Sequence, residues 1–189
     1  MEERTGIITF QGNPLTLLGR ALKVGDPAPE FEILDNNLQP VRVSAFRGKV
    51  VIITAVPSLD TPVCDLETRR FNAEAAALGP EVQILTISMD LPFAQKRWCG
   101  AAGIDKLITL SDHREAAFGT AYGALIKELR LLARTVYVVD RQGVLRYLQV
   151  VRELTQEPDY GEVLQAVKKL LYKEAVYARR FNRLCHSGR

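Results

Sequence analysis

Lys49-Val50-Val51-Ile52-Ile53-Thr54-Ala55-Val56-Pro57-Ser58-Leu59-Asp60-Thr61-Pro62-Val63-Cys64-Asp65-Leu66-Glu67 reads as a strand, a loop and the start of a helix. Residues 49–56 are an almost unbroken apolar run, the pattern of a strand buried on both faces. Pro57 and Pro62 punctuate the loop, and residues 63–78 contain neither proline nor glycine, so a helix is expected there. Cys64 therefore falls in the first helical turn, behind a proline-bounded loop.

That position can turn an ordinary thiol into a reactive thiolate. A free thiol has a pKa near ~8.5, so about 3% is ionised at neutral pH. The unpaired N–H groups of a first turn contribute only ~0.3–1 kcal/mol. A guanidinium at roughly 4 Å could add up to about 4 kcal/mol before desolvation is subtracted. The sequence should therefore supply an arginine from a neighbouring strand. Arg134, just ahead of the apolar run Thr135-Val136-Tyr137-Val138-Val139, is the candidate. Asp60, Asp65 and Glu67 would oppose the effect, and their side chains are expected to point outward.

Outward from this stretch, strands and helices alternate. Strands are expected at 31–34, 41–43, 49–56, 82–88, 107–110, 135–139 and 144–151, and helices at 63–78, 91–101, 113–124 and from 160 onward. Pro92 suits a first turn, and Asp112 three residues before Glu115 has capping-box spacing. Arg141-Gln142-Gly143 reads as a hairpin turn. Ahead of these, Ile7–Gln11 and Leu15–Leu18 flank Gly12-Asn13-Pro14 as a β-hairpin, and Gly25-Asp26-Pro27-Ala28-Pro29 is a stiff linker. The expectation is an α/β fold: a mixed central sheet flanked by helices, preceded by an N-terminal hairpin. The segments are residues 1–19 (hairpin), 20–172 (main domain) and 173–189 (extension).

The chain's 189 residues and 47% apolar content suffice for one ordinary core. No apolar run is long enough to span a bilayer, and the charged Met1-Glu2-Glu3-Arg4 is unlike a secretory leader; a soluble cytoplasmic protein is expected. Cys64, Cys99 and Cys185 are an odd, sparse set without a C-x-x-C pair, unlike a secreted disulfide scaffold. His113 and His186 lie at no metal-ligand spacing from them, so no metal site is expected. Of the net charge of +3, residues 173–189 carry +4, leaving −1 for the body. The body is not read as a nucleic-acid binder, and no membrane partner is expected.

Cys99 closes the 91–101 helix, 35 residues after Cys64, with Gly100 and Gly103 weakening that end. Two helical cysteines seldom reach the 4.4–6.8 Å Cα separation of a disulfide without backbone movement. Should these two pair, both segments must unwind locally.

Several motifs together resemble the peroxiredoxins: Pro57-x-x-x-Thr61-x-x-Cys64, the distant Arg134 and the strand order. The stretch Ser58–Cys64, followed by Arg70-Phe71-Asn72 and by Cys99 in the next helix, is similar to the thiol peroxidase subfamily. Further matches are Gly25-Asp26-x-Ala28-Pro29-x-Phe31, Ser111-Asp112-His113-Arg114, Ala121-Tyr122-Gly123 and Glu157-Pro158-Asp159-Tyr160. The resemblance covers roughly residues 6–172 and has no counterpart beyond. It implies a thioredoxin-like fold, with Cys64 as the peroxidatic and Cys99 as the resolving cysteine, joined in an intramolecular disulfide. It further implies that Thr61 and Arg134 bond the thiolate and the peroxide, and that Pro57 shields the pocket. The activity implied is thiol-dependent reduction of hydrogen peroxide and organic hydroperoxides without any cofactor, recycled by thioredoxin or a similar dithiol, in a homodimer. A redox relay or peroxide sensor that oxidises a partner protein is the alternative. A plain dithiol oxidoreductase is disfavoured, because Thr61 stands where its first cysteine would be. Trp98 is expected in the core or a pocket wall and His113 as a first-turn helix residue without a catalytic role, and Cys185 is expected to be a free exposed thiol.

Overall fold

The computed structural model describes residues 1–172, which contain the following elements. The strands are β1 (Glu3–Phe10), β2 (Asn13–Leu18), β3 (Glu32–Leu34), β4 (Pro40–Arg42), β5 (Val50–Ala55), β6 (Val82–Ser88), β7 (Ile108–Ser111), β8 (Leu125–Ile126), β9 (Thr135–Val139) and β10 (Leu145–Val150). The helices are α1 (Pro62–Leu78), α2 (Pro92–Ala102), α3 (Ala117–Ala121) and α4, helical over 160–172. The chain divides into two compact units, Met1–Pro158 and Asp159–Arg189. In the second, Tyr160, Val163 and Val167 are buried along α4, at helical spacing. Cys185 and the basic extension 173–189 lie outside the described residues.

In the first unit, seven strands run in the order β10-β9-β5-β6-β7-β3-β4. β5, β6 and β7 are parallel, while β9 is antiparallel to β5 and β3 to β7. Every residue of β5 is buried, because both faces of a central strand are covered. The period of two separates those faces. Val51, Ile53 and Ala55 join Leu85, Ile87 and Leu110 in one core with Phe118 of α3, Tyr122 and Tyr137. Residues of the opposite parity turn toward α1, which packs on β6, and α2, which packs on β7. The expected mixed sheet, flanked by helices on both faces, is what forms.

Three local expectations are corrected. The N-terminal hairpin turns one residue earlier than its glycine and proline suggest. Phe10 pairs with Asn13, leaving Gln11-Gly12 as the loop with φ 51° and 80°, the left-handed pair that a tight hairpin requires. Pro14 therefore lies inside β2. The hairpin is also no appendage, since β2 pairs with β8 in a second sheet. It passes so close to α3 that a Cβ on Gly19 would sit 2.3 Å from the Thr120 carbonyl. Finally, the helix expected at 113–124 is only α3. Asp112 does not share a capping box with exposed Glu115. Its buried carboxylate instead accepts the Phe118 and Gly119 N–H groups at 3.1 and 2.8 Å, so residues 113–115 form a turn and α3 starts at Ala117. That burial pushes Asp112 up to about 6, against the pull of the same N–H groups.

Among the described residues no helix is long and apolar enough to cross a membrane.

Candidate active site

The site begins where β5 ends. Thr61 is the N-cap of α1 in extended conformation, and Pro62 opens the helix. Cys64 is therefore the third helical residue, as its sequence position suggested. The Thr61 hydroxyl does not cap; it donates to the Ser58 carbonyl at 2.9 Å. The 58–61 loop is tied to the start of α2 by Asp90, whose carboxylate accepts from Ser58 Oγ at 2.7 Å and from the Leu59 N–H at 2.8 Å. Cys64 is fully buried, in contact with Val56, Leu59 and the half-buried Trp98. Pro57, half-buried, lies between Val56 and this loop.

Arg134 reaches the sulfur because of the sheet order. β9 runs antiparallel beside β5, with Thr135 opposite Ala55, so the residue ahead of Thr135 arrives level with the loop leaving β5. Arg134 is 1% exposed, and its Nη2 donates to Cys64 Sγ at 3.4 Å. Nε and Nη2 also donate to the Leu154 carbonyl at 3.2 and 2.9 Å. Nη1 makes an ion pair with Glu67.

Glu67 corrects an expectation. Asp60 is exposed and Asp65 half-buried, but Glu67 is entirely buried. An isolated carboxylate could not stay there; paired to a guanidinium it can. Burial, opposed by Arg134, pushes Glu67 up to about 7. Burial pulls Arg134 down, but Glu67 and Cys64 more than offset this and leave it above its ordinary value. The signal was present in the sequence: residues i and i+3 share a helix face, so whatever side Cys64 takes, Glu67 takes too.

Cys99 faces another way. Its half-buried thiol lies 3.3 Å from Thr109 Oγ1 and 3.9 Å from Asn36 Nδ2, and it helps line a cavity of about 220 Å³. It is Trp98, one residue earlier, that packs against Cys64. Its Nε1 donates to Asp65 at 3.1 Å, and the Arg69 guanidinium lies 5.9 Å from its ring centroid. Cys64 and Cys99 are both free thiols. His113 is bonded to Ser111 Oγ at 2.8 Å in the turn before α3, not in a helix. Among the described residues no cluster of three or more His, Cys, Asp or Glu could hold a metal.

The structure thus joins Cys64 and Arg134, as the sequence suggested, and adds Glu67, Asp90 and the Leu154 carbonyl. Thr61 lies exposed at the start of the helix, three residues before Cys64, with its hydroxyl hydrogen engaged inside its own loop. A buried thiol with a fixed cationic donor and few competing groups is suited to nucleophilic attack on a small polar molecule.

Residues 23–164 match the profile of the family described as Redoxin. The chain is 56% identical to a thiol peroxidase of Bacillus subtilis (strain 168) over 164 residues, 87% of this chain and 98% of the relative. It is 54% identical to a thiol peroxidase of Halalkalibacterium halodurans, with the same coverage of both. Among solved structures it is similar to a peroxiredoxin-like protein from Aquifex aeolicus (TM-score 0.82, 43% identity, 90% of this chain and 99% of that one). A thiol peroxidase from Chromobacterium violaceum shares the fold (TM-score 0.77, 21% identity, 90% and 97%).

Proposed function

The chain belongs to the thiol peroxidases of the redoxin family, and from that premise we propose which of its residues carry the reaction. It is an enzyme of thiol-dependent peroxide reduction. Cys64 is the nucleophile. Its thiolate attacks the terminal oxygen of a hydroperoxide and the O–O bond breaks. The sulfur takes up that hydroxyl as a sulfenic acid, and the departing oxygen collects a proton to leave as water or an alcohol. Arg134 supplies fixed N–H donors for the charge that moves onto the leaving oxygen. Thr61 presents its hydroxyl oxygen to the same site, and Pro57 shields it from bulk water. The 3.4 Å contact from Arg134 Nη2 to Cys64 Sγ, inside a fully buried site, carries this reading.

Cys99 then condenses with the sulfenic acid, releasing water and forming a disulfide within the chain. A dithiol of the thioredoxin type reduces that disulfide by exchange, returning both thiols and leaving with its own disulfide. The relatives do not favour the relay alternative. We place the reaction in the cytoplasm, where sparse unpaired thiols persist. We also place it in a homodimer, in which exposed Leu66, Leu91 and Phe93 near the Cys64 loop would find cover; sedimentation of the intact chain tests that.

Cys64→Ser is expected to abolish hydroperoxide reduction, since a serine hydroxyl is not appreciably ionised at this pH. Cys99→Ser is expected to consume one equivalent of peroxide and stall. Coupled turnover with a thioredoxin system and a single-turnover peroxide assay measure both. Sustained turnover by Cys64→Ser would overturn the assignment, and sustained turnover by Cys99→Ser would move the resolving role elsewhere.

A further inference from the structure

Besides the Cys64 sulfur and Glu67, Arg134 is held by the Leu154 carbonyl, which accepts from both Nε and Nη2. Two bonds to one acceptor fix the guanidinium plane as well as its depth. The backbone that carries this carbonyl is bonded to the Arg134 carbonyl through the Val151 N–H and, closer to Leu154, to the N-terminal hairpin. Thr9 of β1 donates its N–H to the Arg152 carbonyl at 2.7 Å, and Leu154 donates its own to the Thr9 carbonyl at 2.9 Å. Residues 152–154 are thus bridged to β1 in parallel fashion.

The residue between them, Glu153, clamps the hairpin tip. Its Oε2 accepts from Thr9 Oγ1 at 2.7 Å and from the Gly12 N–H at 3.1 Å. Its Oε1 accepts from the Gln11 N–H at 3.0 Å, the Thr155 N–H at 3.2 Å and the Thr155 hydroxyl at 3.0 Å. Because Gln11 and Gly12 both have positive φ, their N–H groups converge on one anion as a nest does. The Thr9 hydroxyl, followed by those N–H groups, holds the Glu153 carboxyl down at about 2. Beneath the clamp, Ile8, Leu15 and Leu17 of the hairpin pack with Ile126, Ala133 and Leu154 in one buried cluster. Ala133 immediately precedes Arg134, so the hairpin grips the arginine's backbone neighbour as well as its carbonyl partner.

We propose that the N-terminal hairpin is part of the catalytic apparatus, with Glu153 a positioning residue that, through Leu154, sets the Arg134 guanidinium against Cys64. This rests on the role given to Arg134 above. Displacements well under an ångström suffice to slow a reaction that depends on aligned groups, and a full ångström can cost about 10²-fold. The hairpin is then needed for rate, beyond its contribution to folding.

The test uses the full reduced chain, hydrogen peroxide as the probe, and stopped-flow fluorescence of Trp98, the chain's single tryptophan, which packs beside Cys64. The signal separates the second-order oxidation of Cys64 from the first-order resolution that follows. Glu153→Ala is expected to lower the oxidation constant about tenfold, and Thr9→Val about threefold, with resolution unchanged. A purely structural tether would lower the melting temperature and leave the oxidation constant at 25 °C alone. Combining Glu153→Ala with Arg134→Ala is expected to cost little beyond Arg134→Ala itself, because both act through one guanidinium. If Arg134→Ala is slow while Glu153→Ala stays within about twofold of wild type, or if the two losses multiply, the hairpin proposal alone is overturned. If Arg134→Ala oxidises at the wild-type rate, the role of Arg134 falls first and the proposal with it. Should Glu153→Ala not fold, Thr9→Val decides by the same criteria.

Discussion

Arg134 divides one guanidinium among three acceptors: the Cys64 sulfur, the Glu67 carboxylate and the Leu154 carbonyl. Removing Glu67 would leave a buried cation short of a partner, and Glu67→Ala is expected to cost about 3–5 kcal/mol in a denaturation experiment. Glu67→Gln, which keeps an acceptor oxygen, should cost less. The pH dependence follows from the direction of the shift. Burial raises Glu67 from an ordinary 4.5 to about 7. A carboxyl raised in the folded state contributes its stability below the unfolded value and loses it as pH rises through the folded one. Stability is therefore expected to decline between roughly pH 5 and 7.5, and that share of the slope should vanish in Glu67→Gln. Melting temperatures measured across this range check it; a slope identical in both proteins would contradict it. At this scale the meeting of Cys64 and Arg134 was legible, because proline, loop and apolar run fix where the two residues fall. Glu67 was read as solvated. Its partner lies 67 residues away in sequence, and a charge on a helix is ordinarily exposed; only its spacing from Cys64 spoke otherwise.

The two elements that carry the thiols are poised against pairing. α2 presents Trp98 to Cys64 and turns Cys99 toward Thr109 and Asn36. A disulfide needs the two to change places, and a regular helix cannot bring about that exchange. Oxidation is therefore expected to unwind the first turn of α1 and the last turns of α2, where Gly100 and Gly103 already weaken the helix. Hydrogen exchange should show faster exchange for residues near 62–66 and 97–103 in the oxidised protein. Equal protection in both redox states would contradict it. The same bonds mark the break points: Trp98 to Asp65 on one side and Cys99 to Thr109 on the other. The elements themselves were readable wherever one period ran long enough, as in β5, β6, β9 and α1. Two-residue β8 carries no period at all. α3 was overextended because Asp112 bonds the N–H groups of Phe118 and Gly119, six and seven residues away, where a capping box reaches three.

For the whole molecule, alternation of strands and helices predicted the layers but not the order of strands. β9 comes late in the chain, yet it inserts between β10 and β5, and that antiparallel insertion is what delivers Arg134 to the end of β5. The hairpin could be read as a hairpin, while its hold on Glu153 and Leu154 depends on contacts more than 140 residues apart in sequence. Every side chain shown touching Cys64 lies within Met1–Pro158. A chain ending at Tyr172 is therefore expected to oxidise within about twofold of the full-length rate; a larger loss in stopped-flow comparison would assign part of the reaction to residues 173–189. The most direct test of the peroxidase site is to treat Cys99→Ser with one equivalent of hydrogen peroxide, trap sulfenic acid with dimedone, and map the peptides by mass spectrometry. The expected result is a dimedone adduct on Cys64. An unmodified Cys64 with peroxide consumed, or an adduct confined to Cys185, would contradict it.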